Sequence, residues 1–122
     1  MQHPIANVVI DFEFEKGFVF FLIRNHSEME ASTIRIICEQ DIQLMDRKRK
    51  LMDLHIVQQL SYLAPRKEIR IPISPEDMFF QDHNEPLFRF RLKYNDLLNK
   101  KTWSKQITHD LRAFQDLPSL DR

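Results

Sequence analysis

Read for polarity, the chain is a succession of short alternating runs. The clearest is Leu87–Tyr94, where Phe88, Phe90, Leu92 and Tyr94 alternate with Arg89, Arg91 and Lys93. Period two puts the aromatics on one face of an extended strand and the cations on the other; a helix would scatter both around its circumference. Burying each Phe is worth roughly 1.5–3 kcal/mol, so the inward face is strongly committed. The cationic face then belongs to an antiparallel sheet that is wet on its outer side. Asn7–Phe14 repeats the pattern through Val8, Ile10, Phe12 and Phe14, and Lys16-Gly17 reads as the turn into a second strand, Phe18–Asn25. That strand is apolar on both faces for most of its length, which suits a central strand or one whose outer face is covered.

Ala31–Cys38 sets Ile34, Ile36 and Cys38 against Thr33, Arg35 and Ile37. Glu68–Ile73 alternates through Ile69, Ile71 and Ile73, and Pro72 demotes that end to an edge position or a strand terminus. Thr102–Leu111 returns beside the cationic strand, with Trp103, Lys105, Ile107, His109 and Leu111 on one face. Two stretches carry both periodicities. In 51–63, Met52, Ile56, Leu60 and Leu63 stand at helical spacing, while Leu54, Ile56, Gln58, Leu60 and Tyr62 alternate; the expectation is a strand with an irregular lead-in. In 107–117, Ile107, Leu111, Phe114 and Leu117 fit a helix as well as a strand. Ser74-Pro75-Glu76-Asp77 has the form of a helix start, with Ser74 as cap, Pro75 at the first helical position, and Met78, Phe79 and Phe80 plugging one end of the core. About seven short strands without a long amphipathic helix or an internal repeat predict an all-β antiparallel sandwich. It spans 1–122 as one domain, with 1–6 and 118–122 as tails.

Three pieces resemble an immunoglobulin-like β-sandwich of uncharacterised bacterial and phage-related proteins. The first is Phe18-Val19-Phe20-Phe21-Leu22-Ile23-Arg24-Asn25, a polar turn, then Ala31-Ser32-Thr33-Ile34-Arg35-Ile36. The second, Leu60–Ile69, is similar to the family's leucine, alanine, proline turn before a strand. The third, Phe90–Asp96 through Lys101-Thr102-Trp103, is similar to its final hairpin, with a Tyr94-x-Asp96 corner. The resemblance covers roughly Phe14 to Leu111. It implies an immunoglobulin-like sandwich and brings no catalytic residues with it. The family pattern carries glycine in the turns near Ser27, Arg66 and Lys100, where this chain has none, so the geometry of those turns is open.

Composition narrows the function classes. Gly17 is the only glycine, so glycine-rich phosphate loops and dinucleotide fingerprints have no material. Eighteen Lys and Arg balance eighteen Asp and Glu, and no global basic field draws in nucleic acid. Cys38 is the only cysteine, which excludes an intrachain disulfide. With a start, Met-Gln-His-Pro, that lacks signal-peptide regions, this favours a cytoplasmic setting. Phe18–Ile23 is far too short to span a membrane.

The candidate chemistry is sparse. Asn25-His26-Ser27 matches a glycosylation acceptor, but also a turn closed by Asn and Ser side chains. Cys38 as a nucleophile needs a base such as His55 or His109; on a strand face with Ile34 and Ile36 it reads as a buried, inert thiol. Asp82, His83 and Glu85 form the one cluster of metal-ligand types, on consecutive loop positions that seldom converge. Trp103 and Tyr94 read as core aromatics of the final hairpin rather than an interface. Arg47, Lys48, Arg49 and Lys50 form a basic run, and Arg89, Arg91 and Lys93 an outward cationic row, which a solvated sheet would pair with acids on neighbouring strands. The expectation is a non-enzymatic module for protein–protein interaction or scaffolding. It needs no cofactor and binds a protein partner or a second copy through exposed sheet edges. The alternatives are nucleic-acid binding through the basic run and cationic face, and a small metal- or thiol-dependent enzyme.

Overall fold

The computed structural model describes residues 4–115. Among them, seven strands form two antiparallel sheets. β1 (Val8–Glu15), β2 (Phe18–Asn25) and β5 (Glu68–Pro75) make a three-stranded sheet in the order β1-β2-β5. β3 (Ala31–Cys38), β4 (Leu60–Leu63), β6 (Leu87–Asp96) and β7 (Lys101–Asp110) make the other, in the order β4-β3-β6-β7. No helix among the described residues is long and apolar enough to cross a membrane.

The alternating strands fold as their periodicity demands. Phe88, Phe90, Leu92 and Tyr94 of β6 are buried while Arg89, Arg91 and Lys93 are exposed. Facing them, Val8, Ile10 and Phe12 of β1 and Val19, Phe21 and Ile23 of β2 complete the core. The β1–β2 turn has Lys16 at φ 51° and Gly17 at φ 78°, the paired positive φ of a type I′ hairpin. Pro72 stands on an edge strand, and the β2–β5 register slips between Val19 and Phe20, opposite the stretch Pro72–Ser74.

β2 is central, and its outer face is covered by charge. Arg70 of β5 lays its guanidinium 3.9 Å from the centre of the Phe20 ring and reaches Glu13 and Glu15 on β1. Arg24 donates from Nε to Glu68 at 2.9 Å and lies 4.0 Å from Asp11. Leu22 is buried beneath these arms, because arginine stems cover apolar surface while their heads stay wet.

Three expectations change and one open reading is resolved. The stretch 51–63 is mostly helical: Leu51–Asp53 is a 3-10 turn, α1 spans His55–Gln58, and only Leu60–Leu63 is strand. Side chains decide this, since Asp53 accepts the Lys50 N–H at 2.8 Å, Asp41 accepts that of Met52 at 3.0 Å, and Leu51 and Val57 enter the core. Ser74 does not cap a helix; it is a buried strand residue, and α2 spans Glu76–Asp82 with Pro75 preceding it. The Glu76 N–H instead donates to the Gly17 carbonyl at 2.9 Å, docking α2 on the β1–β2 turn. The segment 107–117 is divided: β7 runs to Asp110 and α3 spans Arg112–Gln115, with Phe114 stacked on Phe14 at 4.9 Å; Leu117 lies outside the described residues. The N-terminal stretch expected as a tail is strapped down where it is described. The Ala6 N–H donates to Asp96 at 2.8 Å, its carbonyl accepts the Tyr94 hydroxyl at 3.2 Å, and Asn99 donates to the Pro4 carbonyl at 3.0 Å. Residues 1–3 and 118–122 lie outside the described residues.

The turns without glycine take the glycine conformation regardless. Arg66 has φ 61° and Lys100 φ 52°, two of the three positions where the resemblance calls for glycine. Thr33 at φ 50° forms a bulge in β3, where the pairing with β6 slips between Ser32 and Arg35. A β-branched residue there is strained.

Candidate functional site

The outer face of the four-stranded sheet follows from the β6 alternation. Register sets Lys93 opposite Arg35 of β3 and Ser104 of β7, and Arg91 opposite Ile37 and Gln106. Arg89 stands opposite Thr108, and beyond the end of β3 the Glu39 N–H donates to its carbonyl at 3.0 Å. Among the described residues, Arg35, Arg89, Arg91 and Lys93 form no ion pair; Glu39 follows β3 with no carboxylate within 4.0 Å of Arg89, and Asp110, opposite Leu87 on the same face, is taken by Arg112. The row is therefore not neutralised by neighbouring strands as expected. Directly opposed like charges such as Arg35 and Lys93 weaken a sheet. The two arginines on the other sheet's outer face, Arg24 and Arg70, are both paired.

The Thr33 bulge shapes this face, since a bulge re-aims the side chains beyond it. Thr33, Arg35, Lys93, Asn95 and Thr102 line a shallow depression of about 410 Å³. Ile37, 51 % exposed, adds an apolar spot within the row.

The basic run lies elsewhere. Its loop docks on the three-stranded sheet and α2, with the Met45 N–H donating to the Ile73 carbonyl at 3.0 Å and Arg47 paired with Asp82. Asp46 accepts the backbone N–H groups of Arg49 and Lys48, each at 2.9 Å, and the Arg49 side chain; these bonds hold its carboxyl at about 2. Of Arg47, Lys48, Arg49 and Lys50, the two arginines are engaged within the chain, and the run does not join the sheet face.

The enzymatic candidates do not assemble. Burial pushes the Cys38 thiol up to about 12, and Glu39 and Asp41 nearby oppose ionisation further; the thiol donates to the Gln40 carbonyl. His109 is turned to the Ile10 carbonyl at 2.7 Å. His83 is buried, its ring 5.0 Å from Phe79 and 5.4 Å from Phe88, with Nε2 placed to accept the Gln43 N–H at 3.4 Å. No group of three or more His, Cys, Asp or Glu side chains among the described residues is placed to hold a metal ion. The sequon asparagine is buried with its amide fully engaged, so Asn25 and Ser27 close a turn.

Burial lowers the His83 pKa below its ordinary 6.5, outweighing the attraction of Asp82 and Asp41. The unfolded chain therefore binds a proton at pH values where the folded chain does not, and stability falls as pH drops below 6.5 toward the folded value. Urea titrations at pH 7.5 and 5.5 are expected to show this loss, and His83→Phe is expected to flatten it. An unchanged slope in the variant would assign the loss to other groups.

The molecule is thus an all-β protein of two stacked antiparallel sheets, one with a self-neutralised outer face and one with a cationic face that is unpaired among the described residues. The chain belongs to the DUF8453 family, a domain of unknown function, whose profile matches residues 2–115. No curated protein and no solved structure matches it.

Proposed function

We propose that this protein is a non-enzymatic binding module that receives an acidic protein partner on the outer face of its four-stranded sheet. One observation carries the reading: among the described residues, Arg35, Arg89, Arg91 and Lys93 stand side by side without ion pairs, while the other sheet pairs its arginines. Opposed cations that weaken the sheet are consistent with a face kept for a partner of opposite charge. The inert setting of Cys38 and the core position of His83 support the non-enzymatic part. The same proposal takes the fold as immunoglobulin-like, akin to the bacterial and phage-related sandwiches. The three-plus-four strand order, with β4 joining the sheet of β3, β6 and β7, supports it.

The test compares binding of polyglutamate by the wild type, by Arg89→Glu/Arg91→Glu/Lys93→Glu and by Lys48→Gln/Lys50→Gln, at low and moderate salt. The face variant is expected to lose at least about tenfold in affinity and the loop variant little, because the acidic chain meets only the face. Equal losses in both, or no binding by the wild type at low salt, would sink the proposal. Single-stranded DNA bound more tightly than polyglutamate, with steep salt dependence, would replace it with the nucleic-acid reading. The cations are separated by Ile37, Ser104, Gln106 and Thr108 rather than by the stacking rings usual for single strands, which favours the protein partner. Self-association is checked by light scattering, where a strict monomer at high concentration counts against a second copy as the occupant.

A further inference from the structure

A sandwich of two open sheets has four edge strands, and three of them here are closed to addition. On β1, the Val8 carbonyl accepts the Lys105 amine at 3.0 Å, the Ile10 carbonyl meets His109 at 2.7 Å, and the Phe12 N–H donates to Asp11 at 2.8 Å. These side chains occupy the backbone groups that a new strand would use. β5 carries Pro72 and Pro75, with the register slip between them. β4 is four residues long.

β7 is different. It is ten residues long, without proline, and pairs with β6 in continuous register from Leu87–Asp110 to Asp96–Lys101. Its backbone groups that have no partner among the described residues can be located. The Arg89 carbonyl accepts the Glu39 N–H, so the odd-numbered residues of β6 bond toward β3 and the even-numbered ones toward β7. The alternation then turns the N–H and C=O groups of Thr102, Ser104, Gln106 and Thr108 toward the open edge. Lys105 points inward, a common edge-protecting device, but its amine is held by Asn7 and Val8 of the other sheet; the other charges of the strand stand at its two ends, Lys101 over the Trp103 ring at 4.1 Å and Asp110, and leave the middle of the edge uncharged.

We infer that β7 is the docking edge for an extended acidic segment of the partner, which adds to the four-stranded sheet as a fifth strand. The inference rests on the proposed function, because charge complementarity selects the occupant. An added strand lies about 10 Å from β6, two strand spacings away. Between them stand only the uncharged Thr102, Ser104, Gln106 and Thr108. Acidic side chains on the outward positions of the new strand reach across this row toward Arg89, Arg91 and Lys93, as Arg70 of β5 reaches across β2 to Glu13 and Glu15 of β1. The inward positions meet the half-buried Trp103 and Ile107, so the segment alternates acidic with apolar residues.

The probe is a synthetic ten-residue peptide of alternating glutamate and valine, with a lysine–valine control, followed by fluorescence anisotropy at low salt. Gln106→Pro removes an N–H that points to the open edge, a place where edge strands tolerate proline. It is expected to weaken the glutamate peptide at least about tenfold, as are N-methyl groups on alternate peptide nitrogens, which leave the protein untouched. Arg91→Glu is expected to weaken it as well. Binding that survives both Gln106→Pro and N-methylation but is lost in Arg91→Glu overturns strand addition and leaves the face reading standing. Polyglutamate binding without binding of the glutamate–valine peptide does the same. Equal affinity for the lysine peptide overturns the choice of an acidic occupant along with the edge.

Discussion

Asn25→Asp is expected to cost about 3–5 kcal/mol at neutral pH, a large share of the 5–15 kcal/mol that holds a typical domain together. Asn25 is fully buried at the end of β2, and its amide nitrogen donates to the carbonyls of Met29 at 2.7 Å and of Leu63 and Ala64 at 3.2 Å. Its side-chain oxygen accepts the Ser27 hydroxyl at 2.7 Å, and its backbone N–H donates to Lys67 at 2.9 Å. One side chain therefore ties the three-stranded sheet to the end of β4 in the four-stranded one. The substitution changes little in shape but puts a charged acceptor where carbonyls need a donor. Asn25→Ala leaves the same carbonyls without their donor and is expected to cost less, about 2–3 kcal/mol. The introduced carboxyl has a folded pKa raised by burial, so its penalty grows as pH rises from the unfolded value of about 4. Urea denaturation at pH 7 and 4.5 checks both the order of the variants and the sign of the pH effect. Asn25→Asp as stable as the wild type at pH 7 would mean the amide bonds are not formed in solution.

The same asparagine shows where sequence stops being informative. Its motif is legible as a turn or a sequon, and only the carbonyls brought to it from 38 and 39 residues away decide between them. Strands were legible where one face is wet, because alternation then records burial directly; β1, β6 and β7 are of this kind. β2 was legible as a covered strand, but the cover is an ion lattice from β1 and β5 that no local pattern announces. The helical turns at 51–58 escaped because competing periodicities were settled by remote caps such as Asp41, eleven residues from Met52. The face was half legible. Outward cations follow from period two, but whether they find acids depends on strand register, and on β3 the register turns on the Thr33 bulge. No residue type signals that bulge, since a β-branched side chain is the least expected at a positive φ.

Phe12→Ala is the second large effect, with an expected loss of about 3–5 kcal/mol. Phe12 sits between the sheets with ring centres of Phe88 at 5.6 Å, Phe21 at 5.7 Å, Phe90 at 6.1 Å and Phe79 at 6.4 Å, and the His109 ring edge-on at 5.4 Å. These partners come from both sheets and from α2, so no single movement closes the gap left by the ring, and the cavity term adds to lost burial. Edge-to-face pairs with Phe21 and His109 add a further contribution of about 0.5–1.5 kcal/mol each where they are aromatic pairs of ordinary strength. Phe20→Ala is the contrast. That ring lies on the outer face beneath Arg70, half-buried, and its removal lets the arginine arm settle onto the sheet. Its expected cost is about 1 kcal/mol, mostly the lost cation–π contact and part of the apolar area. Urea midpoints with an unchanged m value would report both as losses of folded-state stability. Equal costs for the two variants would show that the ring cluster between the sheets is not the mechanical centre of the fold, because the enclosed phenylalanine loses more burial, its ring pairs and the cavity besides.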